Sequence, residues 1–169
     1  MTATDVKARN REHHVLIVDD EEIVLVALRE TLRQLGYTVS TAPHAVQGLV
    51  LLQQHQFAVV ITDHQMPRLT GLEFLAQVKV IQPDASRVLI TAVLNLTTVI
   101  DAINRAEVFR FVIKPWQRED LVETLRAAVE HHRAAALKNR QLAESQSVND
   151  RLADRVKELE GELARCARH

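Results

Sequence analysis

The chain has 169 residues, room for one globular domain of ordinary size with an appendage but not for two full domains. Hydrophobic residues make up 47% and charged residues 25%, enough apolar surface to fill a core, which excludes a wholly disordered chain. Lys and Arg number 21 against 22 Asp and Glu, a net charge of -1 without the basic excess that tracks a phosphate backbone, so direct binding of nucleic acid is not expected. The longest purely apolar run, Ile23 to Leu28, is far short of the ~18 residues of a membrane span. Asp5, Lys7, Arg9, Arg11 and Glu12 occupy the place where a secretion signal would carry its apolar stretch. Cys166 is the sole cysteine, which excludes an internal disulfide and a cysteine-rich metal site and fits a cytoplasmic location.

After a tail over residues 1–12, five short runs rich in branched aliphatics recur: His14 to Val18, Tyr37 to Val39, Phe57 to Thr62, Arg87 to Thr91 and Phe109 to Ile113. Each reads as a strand. Val15-Leu16-Ile17-Val18, Phe57-Ala58-Val59-Val60-Ile61 and Val88-Leu89-Ile90 are apolar without alternation, the pattern of strands buried on both faces of a parallel sheet. Behind the first strand, Val24, Ala27, Leu28, Thr31, Leu32 and Leu35 recur at helical spacing, with Gly36 as a stop. Thr70 and Glu73 have capping-box spacing at the head of another helix, and Asn95 is a good N-cap for one carrying Leu96, Val99, Ile100 and Ile103. Five β-α units in alternation predict a three-layer α/β fold, doubly wound on a parallel five-stranded sheet of flavodoxin-like order 2-1-3-4-5.

From about Glu119 no further strand appears, and neither Gly nor Pro interrupts the chain before Gly161, so one long C-terminal helix is expected. The folded domain is placed at 13–132 and a coiled-coil extension at 133–169. Leu142, Ser145, Asn149, Leu152, Val156, Leu159, Leu163 and Cys166 alternate at three and four, an a/d seam with Leu142, Asn149, Val156 and Leu163 at a. Upstream the same register puts Thr124, His131 and Lys138 at d, and the seam weakens. A helix of this length extends roughly 70 Å at 1.5 Å per residue, more than a domain of this size can cover. A single Asn at an a position favours a parallel two-stranded homodimer, in which Arg155 at g would face Glu160 of the next heptad and Cys166 its counterpart. The alternative is an amphipathic helix folded back on the domain.

The polar residues of interest fall at the carboxyl ends of the predicted strands: Asp19 and Asp20 after the first, Asp63 at the third, Thr91 at the fourth, Lys114 at the fifth. Ligands of open parallel sheets bind beyond these ends where the strand order reverses, here between the first and third strands, so Asp19, Asp20 and Asp63 should converge. Their mutual repulsion suits a hard, oxygen-preferring cation, Mg²⁺, which leaves room for a phosphoryl group. Lys114 offers a point charge and Thr91 a hydroxyl to the oxygens of such a group. Asp63, alone at its strand end, is the carboxylate placed to attack phosphorus.

Val15-Leu16-Ile17-Val18-Asp19-Asp20-Glu21, Thr62-Asp63-His64-Gln65-Met66-Pro67 followed by Gly71-Leu72-Glu73, Leu89-Ile90-Thr91-Ala92 and Phe111-Val112-Ile113-Lys114-Pro115 together resemble the receiver domain of bacterial two-component response regulators. The resemblance implies phosphorylation of Asp63 by a sensor histidine kinase. It also implies Mg²⁺ held by Asp20, by Asp19 mainly through water, by Asp63 and by the Gln65 carbonyl, with Thr91 and Lys114 on the phosphoryl group. It implies a Lys114-Pro115 bond that is often cis, and a switch in which Phe111 turns inward as the Thr91 hydroxyl moves. The run Phe109 to Trp116 is similar to receivers of hydrogenase-type transcriptional regulators and of regulators with HD-GYP outputs. His64 departs from the family's apolar preference and reads as a partly exposed histidine without a catalytic task. His131 and His132 are expected to face solvent or the seam, and no histidine stands in a kinase-like phosphodonor context.

On this reading the chain is a phosphoacceptor switch, not an enzyme with a separate substrate, and its output passes through the C-terminal helix. A flavin carrier shares the strand order, but Asp19-Asp20-Glu21-Glu22 would repel a phosphate where a flavin cradle needs Gly, Ser and Thr. An unphosphorylated receiver serving as a dimerisation scaffold is the other alternative, against which stands the presence of every reacting group. With no output motif after the helix, either a single-domain regulator or a fragment is expected.

Overall fold

The structure is a computed structural model and describes residues 10, 12–92, 100 and 102–166, with backbone alone for 102, 103 and 161–166. Its sheet has five parallel strands, β1 (His14–Val18), β2 (Thr38–Ala42), β3 (Val59–Asp63), β4 (Ser86–Thr91) and β5 (Arg110–Ile113), in the order β2-β1-β3-β4-β5. The helices are α1 (Glu22–Gln34), α2 (Ala45–Gln54), α3 (Gly71–Ile81) and α4 (Arg118–Cys166), and a π-helical turn at Ala102–Ala106 precedes β5. The helix expected behind Asn95 falls largely outside the described residues.

The uninterrupted apolar strands are explained by the two cores they serve. Val15, Ile17, Val59, Ile61, Val88, Ile90 and Val112 point to one face, where Leu25, Leu28 and Leu32 of α1 and Leu121, Leu125, Ala128 and Val129 of α4 cover them. Leu16, Val18, Val60 and Leu89 point to the other, under Ala45 and Leu52 of α2 and Phe74, Leu75 and Val78 of α3. Each fully buried Leu or Phe contributes about 1.5–3 kcal/mol relative to exposure, so the apolar residues of the central strands stabilise one layer or the other in alternation.

Two expectations are corrected. The second strand is Thr38–Ala42 rather than Tyr37 to Val39, because an edge strand paired on one side only, here with β1, tolerates Ser40 and Thr41 in place of an apolar run. In α1 the buried stripe is Leu25, Leu28 and Leu32 while Ala27 is exposed, a rotation toward the larger side chains. Gly36 is the expected stop: with φ 96 it lets its own N–H bond Arg33 O and that of Tyr37 bond Leu32 O, closing the helix end. The weakness of the upstream heptads has a packing reason. Leu121, Thr124, Leu125, Ala128 and Val129 are buried against the sheet, so α4 there follows the spacing of a domain helix, not that of a coil.

The described chain divides after Arg133 into two compact units, within both of which α4 is helical. In the second unit Leu142, Leu152, Val156 and Leu159 are exposed, as is Asn149. Arg155 pairs within its own helix with Glu158. The side chains of Leu163 and Cys166 lie outside the described residues. Among the described residues no helix is long and apolar enough to cross a membrane.

Candidate functional site

A parallel sheet sends all its carboxyl ends the same way, and β1, β3, β4 and β5 deliver Asp19, Asp63, Thr91 and Lys114 to one rim. A pocket of about 270 Å³ opens there, lined by Asp20, Glu21, Asp63, His64, Gln65, Thr91, Ala92 and Lys114. Asp19, buried to 1% exposure, lies behind the lining, whereas Asp20 is exposed.

The two buried carboxylates are each held by a backbone N–H and share one lysine. Asp19 Oδ1 accepts from Glu21 N at 2.8 Å, and Asp63 Oδ2 accepts from Gln65 N at 2.6 Å. Lys114 Nζ is 2.6 Å from Asp63 Oδ1, 3.3 Å from Asp19 Oδ2 and 3.3 Å from Glu21 Oε1. Burial pushes the Asp19 carboxyl above its ordinary range, against the pull of the Glu21 N–H and the Lys114 charge. Burial also opposes the Lys114 charge, but its hydrogen bond to Asp63 and the charges of Asp19 and Asp63 outweigh this and hold its pKa above the ordinary lysine value. The ammonium therefore relieves much of the repulsion between Asp19 and Asp63. Among the described residues no three acidic, histidine or cysteine side chains stand together at metal-binding spacing. The peptide Lys114-Pro115 is cis, as the resemblance implied.

Asp63 is fixed from the backbone side as well. The N–H of His64 bonds Ile90 O at 2.9 Å, and that of Gly71, at the head of α3, bonds His64 O at 3.0 Å. A Cβ on Gly71 would stand 2.0 Å from Asp63 O, so only glycine lets the helix approach this close. Thr70 and Glu73 form the complete capping box, with Thr70 Oγ1 taking the Glu73 N–H and Glu73 the Thr70 N–H. Thr91 is buried at the pocket, and Lys114 N bonds its carbonyl at 2.9 Å. Phe111 is half-buried against the α3 side of the sheet. His64 is partly exposed, but its Nδ1 is buried and has no hydrogen-bond partner among the described residues.

Sequence reasoning singled out neither Glu21 as a third contact of Lys114 nor the clash that Gly71 avoids. Both depend on which loops meet, although Gly71 stood in the quoted motif. His131 is exposed, as expected, though one edge of its ring bonds Ser86 and stacks on Phe109, whereas His132 is half-buried and bonds the carbonyl of Asp84.

A five-stranded parallel sheet with acidic residues, a threonine and a lysine gathered at one rim is the architecture of a signalling receiver. Residues 15–126 match the family model of the response regulator receiver domain, and the chain belongs to that family. The hydrogenase transcriptional regulatory protein HoxA of Cupriavidus necator is 35% identical over 121 residues, 72% of this chain and 25% of that protein. The chain thus spans about a quarter of the length of such relatives. Among solved structures, the signal receiver domain of an HD domain-containing protein from Pseudomonas fluorescens Pf-5 is 34% identical with a TM-score of 0.70, covering 72% of this chain and 98% of that one. The beryllofluoride-activated NtrC4 receiver domain dimer is 29% identical with a TM-score of 0.66, covering 70% and 98%.

Proposed function

We propose that the chain is a phosphoryl-accepting switch. Asp63 takes a phosphoryl group from the phosphohistidine of a sensor histidine kinase in the cytoplasm, and Thr91 and Phe111 pass the change on toward the C-terminal helix. One observation carries this reading: the Asp63 carboxylate is oriented by the Gln65 N–H at Oδ2 and met at Oδ1 by Lys114 Nζ at 2.6 Å, beside an open pocket. A carboxylate held this way presents a lone pair in a fixed direction, and the ammonium beside it can turn to the oxygens of an incoming phosphoryl group. The O–P bond forms as the P–N bond breaks, and the imidazole leaves neutral when its other nitrogen carries a proton. The chain turns over no separate substrate; its own phosphorylation and dephosphorylation are its only chemistry.

Two carboxylates and a backbone carbonyl suit a hard divalent cation that keeps several of its waters, which needs no cluster of three acidic side chains. Asp19, Asp20, Glu21 and Asp63 bring four carboxylates to the rim against the ammonium of Lys114, a surplus of negative oxygen. Mg²⁺ would be held by Asp20, Asp63 and the Gln65 carbonyl, with Asp19 acting mainly through water. Bound there, it offsets this surplus and the charge of the phosphoryl oxygens.

The exposed Leu142, Leu152, Val156 and Leu159, with Asn149 at its a position, support a parallel homodimer along that stretch of α4, continued by Leu163 in the sequence. The output is then a change in how the paired helices are joined to their receivers.

Mass spectrometry after treatment with acetyl phosphate and Mg²⁺ tests the central claim. One phosphoryl adduct is expected on the wild type and none on Asp63→Asn, whose amide is a poor nucleophile. An adduct that persists in the variant overturns the assignment, and a bound yellow flavin would replace it with a carrier function.

A further inference from the structure

The amino ends of the strands hold a polar cluster that the phosphoacceptor chemistry does not use. His13, just before β1, is 9% exposed, and Arg133 Nη2 lies 2.8 Å from its Nε2, while Arg133 Nη1 lies 3.0 Å from Glu130 Oε1. A guanidinium has donors only, so His13 Nε2 is an unprotonated acceptor and the ring proton sits on Nδ1. The neighbouring histidines of α4 are bonded the other way round. Ser86 Oγ gives its proton to Ala128 O at 2.7 Å, so His131 Nδ1, at 2.9 Å, donates to that hydroxyl. His132 Nδ1, 2.8 Å from Asp84 O, also donates, because a carbonyl only accepts.

These orientations decide which histidine responds to a proton. A second proton on His131 or His132 goes to Nε2 and leaves the Nδ1 bond in place. A proton on His13 takes the lone pair that Arg133 uses and sets two cations face to face, with a guanidinium that cannot give up its own proton. The charged and titratable groups around His13 are Arg133, His132 and Glu130 from α4 and Glu12 from its own segment, with Tyr37 before β2 near the same Arg133 and Glu130. Glu130 is already paired with Arg133. Burial, then Arg133 and His132, hold the His13 pKa below the ordinary imidazole value, with Glu12 and Glu130 acting against them.

We propose that His13 and Arg133 form a proton-released latch on the last turn of α4 within the first compact unit, closed while His13 is neutral and opened when it is protonated. Acidification then loosens residues 130–133, directly ahead of the stretch of helix that carries the dimer seam. The latch needs no phosphoryl group and persists in Asp63→Asn.

Hydrogen exchange of the Glu130 to Arg133 amides, corrected for intrinsic rates, tests this. Protection is expected to fall about tenfold between about pH 7.5 and about pH 5, the range in which histidine changes charge, while the amides of Val15 to Val18 keep theirs. His13→Gln, which keeps an acceptor and does not titrate, should abolish the pH dependence, and His13→Lys should show low protection at both pH values. If His13→Lys does not fold, imidazole ¹⁵N shifts of the wild type still report an unprotonated His13 Nε2 at the higher pH that titrates with the same midpoint as the loss of protection. Wild-type protection that does not change with pH, a His13→Gln variant that keeps the full pH dependence, or β1 opening in step with residues 130–133 would each overturn the latch.

Discussion

The two ends of the parallel sheet handle polar groups in opposite ways. At the carboxyl ends, Asp19 and Asp63 each take one backbone N–H and share the lysine, and Asp63 lines an open pocket with Asp19 buried behind it. At the amino ends the polar groups are used up in bonding between elements. Gln82 is buried and ties Phe57 N, Leu52 O and His55 O together, while Ser86, His131 and His132 tie β4 and the loop before it to α4. An incompletely satisfied carboxylate is a reactive group, whereas a fully satisfied amide is a staple. The first end is therefore built for an incoming ligand and the second for cohesion.

The sharpest break of this contrast is Gly71→Val. Its side chain would collide with the Asp63 carbonyl, and stability should fall by more than about 3 kcal/mol, read from the urea midpoint, with loss of phosphoryl uptake because Asp63 is displaced. Gln82→Leu acts at the opposite end and should cost about 2–3 kcal/mol, because it strands the Phe57 N–H and the carbonyls of Leu52 and His55. Phosphoryl uptake in that variant should match wild type at temperatures where it is folded. If uptake fell in proportion, the two ends would not be separable.

Thr91→Ala should cost less and remain phosphorylatable, since the hydroxyl forms no bond to phosphorus. The chemical-shift changes of Phe111 and Val112 on phosphorylation should disappear, and wild-type-like changes would free Thr91 of the switching role. The histidines give the amino end a pH signature. Burial lowers the pKa of His13, His14 and His131, with His55 adding to the effect at His14 and Arg87 at His131. The unfolded chain then binds more protons below about 6.5, so this part of the stability is fully present above that pH, falls as pH drops through it and levels off below the folded pKa values. Urea midpoints across this range should decline, and His14→Gln should flatten part of the decline. The smallest effect is expected at the exposed pair Arg155 and Glu158, where Arg155→Ala should change the thermal midpoint by the equivalent of no more than about 0.5 kcal/mol.

Much of the fold was readable because it repeats locally. Unbroken apolar runs require two covering layers, alternating β and α segments require a parallel sheet, and a parallel sheet brings the residues after each strand to one rim. Asp19, Asp63, Thr91 and Lys114 could thus be placed together from the chain alone, as could the Thr70 cap and the Gly36 stop. What escaped were relations between elements. The edge strand β2 carries no strong hydrophobic signal, since only one of its sides is paired. The face of α4 that packs on the sheet could not be told from a faltering coiled-coil seam, because both repeat every three or four residues and only packing decides which is buried. Likewise, a lysine's reach to Glu21 and Asp19, the 2.0 Å that forbids a side chain at Gly71, and the lone pair that His13 lends to Arg133 are distances between segments far apart in sequence, and only the folded chain sets them.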